Sequence, residues 1–149
     1  MEQTKQDFIE WWNQSPFFKW ADLEIMEAAD GKSELKLNVQ RHHRGGGGTK
    51  AVHGGIIAYM FDGLLSSAAR SLAGEDLMAM ATMTLNVQYL QLLNVSEVVI
   101  GKAHVQKAGK STAYVYGELY DDKGEACSTC TGIFRYFYKK SGSKEPSKL

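Results

Sequence analysis

His53, Gly54 and Gly55 stand in a row, with Asp62 nine residues after the histidine, in Val52-His53-Gly54-Gly55-Ile56-Ile57-Ala58-Tyr59-Met60-Phe61-Asp62. A glycine pair opening an apolar helix leaves backbone N–H groups free at the positive end of the helix dipole. A carboxylate further along the same helix supplies a base or a nucleophile. Donors aimed at a developing oxyanion, together with a carboxylate, are what hydrolysis of an activated acyl group needs.

The helix that must carry these groups runs over residues 54–73 and stops at Gly74. Helical periodicity gathers Ile57, Met60, Phe61, Leu64 and Ala68 on one face, to be buried against a sheet. Gly55, Ala58, Asp62, Ser66 and Ala69 gather on another. Such a stripe of small residues lets a second backbone or a ligand come close. The plainer alternative is a solvent-facing side with one ordinary aspartate, but such a side usually carries Lys, Glu and Arg. Gly54 and Asp62 are eight residues apart, a rise of roughly 12 Å. One acyl carbonyl cannot touch both. If both act on one carbonyl, the helix tip comes from one subunit and the carboxylate from another. Two helices antiparallel across a two-fold would then build two equivalent sites.

The remaining elements follow from local pattern. Residues 4–14 read as a short helix with Phe8, Trp11 and Trp12 on one side, stopped by Ser15-Pro16. Residues 20–29 and 32–40 read as strands around the turn pair Asp30-Gly31, with Leu35, Leu37 and Val39 sharing a face. Residues 41–52 form a loop. Strands follow over 80–92, 96–107, 111–120 and 125–138. In the first of these, Thr82, Thr84, Asn86 and Gln88 oppose Met83, Leu85, Val87 and Tyr89. The order predicts an α+β fold in which one antiparallel sheet wraps the long helix.

The 149 residues suit one domain, with a polar, flexible tail over 139–149. Lys plus Arg equals Asp plus Glu at 17 each, which argues against a general nucleic-acid binder. No apolar run approaches the roughly 20 residues of a membrane span, and the polar start Met1-Glu2-Gln3-Thr4-Lys5 does not read as a secretory signal. Cys127 and Cys130, in a strand-like run, are expected on opposite faces as free thiols of a reducing compartment. The expected location is cytoplasmic; a C-terminal Ser147-Lys148-Leu149 would address a eukaryotic chain to the peroxisome.

These residues resemble the hotdog-fold acyl-CoA thioesterases, specifically the PaaI-like group of the 4-hydroxybenzoyl-CoA thioesterase superfamily. The resemblance covers about residues 15–138. It rests on Ser15-Pro16-Phe17-Phe18, the His53-Gly54-Gly55 helix start, Asp62 at its spacing, Leu85-Asn86-Val87-Gln88-Tyr89-Leu90 and Ala108-Gly109-Lys110. It implies a helix wrapped by a curved antiparallel sheet, paired into homodimers and often homotetramers, with sites at the dimer interface. It implies Asp62 as nucleophile or general base on the thioester of an acyl-CoA, and the Gly54 N–H of the partner subunit as the donor that polarises the carbonyl. His53 would position substrate or water, and Thr82 would place a hydroxyl beside the carboxylate. Gly55, Ser66, Asn86, Lys110 and Arg44 are the expected substrate- and CoA-binding residues. No cofactor is implied, since coenzyme A is part of the substrate, and no metal site is expected.

Two departures stand out. Relatives place Asn or Gln about six residues before the histidine, where this chain has Gly47; and Leu90-Gln91-Leu92-Leu93 replaces a usually polar turn.

Other candidates weigh less. Gly45 to Lys50 reads Gly-Thr-Lys and precedes the helix, which is not the phosphate-loop order. Arg41, Arg44 or Lys50 could reach CoA phosphates from that loop, or simply be solvated, and Lys110 is either a phosphate contact or a plain turn lysine. His42 and His43 are expected to be exposed, with no third ligand for a metal, and His104 to be structural. Trp11, Trp12, Phe17, Phe18 and Trp20 are expected to form a packed cap on the sheet, with a substrate lid as the alternative. A hotdog hydratase or dehydratase would need a histidine close to a carboxylate on a different motif, which is not found. A non-catalytic acyl-CoA-binding module would bind without turnover.

Overall fold

The structure, a computed structural model, describes residues 5–45 and 48–140. Gly47 and Ser147-Lys148-Leu149 lie outside the described residues. Helix α1 spans Lys5–Asn13 and α2 spans Pro16–Ala21; strands β1 (Leu23–Ala29) and β2 (Lys32–Asn38) follow. A short 3-10 turn at Arg41–His43 leads to helix α3, Gly54–Ser71, and then to β3 (Leu77–Tyr89), β4 (Val98–Ala108), β5 (Thr112–Tyr120) and β6 (Ala126–Tyr138).

All strand pairs are antiparallel, in the order β1-β2-β4-β5-β6-β3. Helix α3 touches every strand, so the sheet curls around it. This is the α+β hotdog architecture that the resemblance implies. The predicted core face holds: Ile57, Met60, Phe61, Leu64 and Ala68 are all buried. Leu64 and Leu65 seat where the sheet has no side chain. A Cβ added at Gly101 would stand 2.8 Å from Leu64 Cδ2, and one at Gly117 would stand 2.7 Å from Leu65 Cδ1. Hydrogen bonds also tie sheet to helix: Ser33 Oγ donates to Leu64 O at 2.8 Å, Gly31 N to Ser71 Oγ at 2.8 Å, and Tyr136 OH to Ala69 O.

Several local expectations needed correction. Ser15-Pro16 ends one helix and also starts another. Ser15 caps α2 by accepting from Phe18 N, and Pro16 occupies the first helical position, where its missing N–H costs nothing. Asp22, at φ 56°, ends α2, so β1 begins at Leu23 rather than residue 20. The Asp30-Gly31 turn is as expected, with φ 52° and 78°.

Two register shifts overturn alternation. In β3 the pairing steps from Thr82↔Phe134 to Thr84↔Ile133, leaving Met83 as the extra residue of a bulge. Met83 is therefore exposed and does not share a face with the core-packed Leu85 and Val87. In β6 a shift between Leu119↔Ser128 and Tyr120↔Ala126 falls at Cys127, so Cys127 and Cys130 both enter the core, free, instead of pointing to opposite faces. His43, expected to be exposed, is fully buried.

Candidate active site

His53 closes the N-terminus of α3. Its backbone is extended, at φ −63° and ψ 138°, and its Nδ1 accepts the Gly55 N–H at 3.0 Å. In the neutral ring the proton therefore sits on Nε2. Ile56 and Ile57 N–H groups take the His53 carbonyl. The Gly54 N–H has no acceptor among the described residues, so one helix-tip donor is left for a ligand. Tyr89, at the end of β3, lies over Gly54 and donates its hydroxyl to Gly54 O at 2.8 Å.

The loop before this tip is clamped from behind. Arg44 donates Nη1 to Lys50 O at 3.0 Å and Nη2 to Val95 O at 2.9 Å and Ser96 O at 2.8 Å. Its guanidinium is thus spent on backbone carbonyls, which departs from the phosphate contact expected of it. Buried His43 accepts the Gln40 N–H through Nδ1 at 2.9 Å, and its carbonyl accepts the His53 N–H at 2.8 Å. Burial, with the neighbouring His42, holds the His43 imidazole below its ordinary pKa.

Two turns along α3, Asp62 Oδ1 accepts the Thr82 hydroxyl at 2.7 Å. The bulge at Met83 makes this possible while Leu85 and Val87 still reach the core, since without the extra residue Thr82 would sit on the opposite face. Asp62, Ser66 and Thr82 line a cavity of about 520 Å³ whose other walls include Trp11, Trp12, Phe8, Met80 and Arg70. A second hollow of about 280 Å³ shares Asp62, Ser66, Trp11 and Trp12 and adds Phe17 and Phe18.

Trp11, Trp12, Phe17 and Phe18 therefore wall these hollows; only part of the cluster packs as a cap, since Phe18 is buried while Trp11 and Trp20 are exposed. Phe17 stacks on Tyr59 of α3, with ring centroids 4.1 Å apart and 10° between planes, and the Tyr59 hydroxyl donates to Phe17 O at 2.8 Å. Burial first, and the Asp62 charge second, push the Tyr59 hydroxyl's pKa up. Burial pushes the Cys130 thiol up to about 11, with a smaller push from Asp62. That suits an inert packing thiol.

Asp62, Thr82 and Ser66 are thus brought together, and His53, Gly54 and Gly55 form a second cluster at the helix tip. The two clusters are about 12 Å apart on one helix, as the eight-residue spacing requires. Asn86 is not brought to Asp62; it lies exposed, on the face opposite its core-packed neighbours Leu85 and Val87, and accepts from Gln88 Nε2 at 2.9 Å. Lys110 is exposed in the turn between β4 and β5. Arg70 is not among the expected site residues, and Trp11 and Trp12 are expected there only under the substrate-lid alternative. Arg70 had a usable signal, since it continues the Asp62–Ser66 row by one further helical turn. Among the described residues, no group of three or more His, Cys, Asp or Glu side chains could hold a metal ion, and no helix is long and apolar enough to cross a membrane.

Comparison with known proteins places this geometry. No curated protein matches the sequence. In structure the chain is similar to a thioesterase family protein from Silicibacter pomeroyi, with TM-score 0.81 and 22% identity over 91% of this chain and 100% of that one. It is also similar to the PaaI protein of the E. coli phenylacetic acid degradation operon, with TM-score 0.77 and 16% identity over 92% and 96%. A phenylacetic acid degradation-related protein from Ralstonia eutropha gives TM-score 0.74 and 21% identity over 88% and 98%. At such identities these likenesses establish the fold. The sequence model of the thioesterase superfamily matches residues 49–128, more than half of the chain and the whole stretch from the helix tip through Asp62 to Thr82. The chain belongs to the thioesterase superfamily.

Proposed function

We propose that the protein is an acyl-CoA thioesterase that works as a homodimer, with each site assembled from two subunits. The observation that carries this reading is Asp62, held by the Thr82 hydroxyl at 2.7 Å in an aromatic-walled cavity, two turns from an unpaired helix-tip N–H. Asp62 takes a proton from water, or attacks directly. In the first route the water oxygen adds to the carbonyl, the tetrahedral oxyanion collapses with loss of the C–S bond, and the thiolate takes the proton held by Asp62 to give free CoA and the carboxylic acid. In the second, loss of the C–S bond leaves a mixed anhydride on Asp62, which water then hydrolyses to the acid, supplying the thiolate's proton. The Gly54 N–H of the partner subunit stabilises the oxyanion; losing one such donor costs on the order of 100- to 1000-fold in rate. His53, with Nδ1 occupied by Gly55 N–H, offers Nε2–H to orient substrate or water. Thr82 fixes the carboxylate, and exposed Lys110 is the cation available for CoA phosphate.

The sheet supports pairing. β3 is an edge strand of 13 residues, and it exposes Met83 and Tyr89, followed by exposed Leu90 and Leu92. A long apolar edge of this kind calls for a partner. The same edge carries Thr82 and Tyr89, so pairing there brings the two site clusters to the interface.

Asp62 is held by a threonine hydroxyl rather than by a histidine, which favours hydrolysis over hydration chemistry. The test is a free-thiol assay over short, long and aromatic acyl-CoAs with wild type and Asp62→Asn. Wild-type turnover that Asp62→Asn abolishes, with unchanged circular dichroism and melting, is the expected result. Acyl-CoA binding without turnover in wild type, or full turnover in folded Asp62→Asn, overturns the reading.

A further inference from the structure

Arg70 is the one cation on the wall of the Asp62 cavity. It follows Asp62 and Ser66 at successive helical turns, so all three project from one stripe of α3 into the same hollow. Its guanidinium lies over the Phe8 ring, 5.0 Å from the centroid, and makes no hydrogen bond or ion pair among the described residues. The neighbouring walls are apolar: Phe8, Leu77, Met80 and Phe134. A half-buried guanidinium with no anion is an unfavourable arrangement, because burial penalises the charged form and only the Phe8 ring and the neighbouring Tyr138 and Tyr136 work against that penalty. An anion brought in by a ligand would offset it.

Geometry limits which anion. Asp62 and Arg70 are eight residues apart, roughly 12 Å along the axis, and side chains on a helix lean back toward its N-terminus. The gap between the carboxylate and the guanidinium is therefore shorter than the axial rise whenever the long Arg70 chain leans toward Asp62. That gap suits a short apolar linker. It does not suit the pantetheine arm, which separates a thioester from the CoA phosphates by more than two helical turns.

We propose that Arg70 is a specificity residue, and that the preferred acyl group carries a terminal carboxylate: a dicarboxylic acid esterified to CoA at one end. The proposal rests on the thioesterase reading and names its substrate class. The thioester carbonyl lies at Asp62, the methylene linker crosses the Trp11–Trp12 wall, and the free carboxylate takes the fork of the guanidinium. Arg70 touches neither the reacting carbon nor the attacking water. Its loss changes which acyl group is accepted, and basal turnover of neutral acyl groups remains.

The test separates recognition from chemistry. Binding of two non-hydrolysable thioethers, carboxypentyl-CoA and hexyl-CoA, is measured calorimetrically on wild type, Arg70→Met and Arg70→Lys. Met keeps an apolar stem over Phe8, and Lys keeps the charge without the fork. A charge-assisted pair in a partly buried site corresponds to about a 10- to 100-fold preference for the carboxylate. Wild type is expected to show that preference, Arg70→Met to lose or reverse it, and Arg70→Lys to keep part of it. In hydrolysis, Arg70→Met raises KM for adipyl-CoA and leaves kcat/KM for hexanoyl-CoA within a few-fold. Equal affinity of wild type for the two thioethers overturns the proposal. So does an equal loss of both in Arg70→Met, which would assign the guanidinium to the CoA phosphates. A carboxylate preference in binding with no hydrolysis of any acyl-CoA leaves the Arg70 assignment standing and removes the thioesterase reading. Hydrolysis without a carboxylate preference does the reverse.

Discussion

Thr82 Oγ1 donates to Asp62 Oδ1 at 2.7 Å, across from α3 to an edge strand whose bulge at Met83 turns the threonine inward. The carboxylate's orientation thus depends on one hydroxyl and one extra residue.

Thr82→Val keeps the shape and removes the donor. A hydrogen bond to a charged group is worth about 1.5–3 kcal/mol, so kcat/KM for the best acyl-CoA is expected to fall about 10- to 100-fold. Thr82→Ser restores the hydroxyl and should retain activity within a few-fold. Steady-state kinetics on the two variants check this. Equal activity in Thr82→Val and wild type would show that Asp62 is held by something else.

His43 makes stability depend on pH. Its imidazole is buried, its Nδ1 accepts the Gln40 N–H, and burial first, then His42, lowers its pKa below the ordinary value near 6.5. Between the folded pKa and that value the unfolded chain binds more protons than the folded one. Stability therefore rises with pH through this window; the contribution is complete above the unfolded pKa and is lost as pH falls through the folded one. Melting measured from pH 7 to pH 5 should show a steady decline in wild type. His43→Asn, which can still accept from Gln40, should flatten the decline. Because the His43 carbonyl holds the His53 N–H, wild-type activity should fall over the same range.

Gly101 is a packing notch. A Cβ there would lie 2.7 Å from Leu119 Cδ2 and 2.8 Å from Leu64 Cδ2, both on fully buried side chains. Gly101→Ala is expected to destabilise by about 1–3 kcal/mol through overpacking, read by urea unfolding. An unchanged midpoint would mean that α3 can lift from the sheet freely.

The parts of this fold that were legible in the sequence are those set by local physics. The 3.6-residue period of Ile57, Phe61, Leu64 and Ala68 announces α3 and its buried face, and Asp30-Gly31 announces a hairpin whose two positive φ angles the structure has. The eight-residue separation of Gly54 and Asp62 already requires two clusters. The misses have a common cause in long-range structure. A bulge is one extra residue and leaves no compositional mark, so strict alternation groups Met83 with Leu85 and Val87 and separates Cys127 from Cys130, both against the structure. Burial of His43 depends on a loop closed by Arg44 onto Val95 and Ser96, more than fifty positions away. The Trp11–Trp12 wall exists because α1 is tied to β1 through Asn13 and Ile25 and packs on α2 through Trp12 and Phe18, while Phe17 of α2 stacks on Tyr59 of α3, contacts no window of the sequence contains.

The central claim is that Asp62 of one subunit and the Gly54 N–H of its partner serve one site. Gly54→Pro deletes that N–H alone: Gly54 is the first helical residue, where proline is favoured, and His53 already has the extended backbone a residue before proline adopts. Gly54→Pro and Asp62→Asn homodimers should each be nearly inactive. When the two are unfolded together and refolded at equal amounts, half the dimers are mixed, and each mixed dimer has one intact site of two. Activity should recover to about one quarter of wild type under this two-fold symmetry. A mixture no more active than either parent, with mixed dimers demonstrated by tag pull-down, would contradict the shared site.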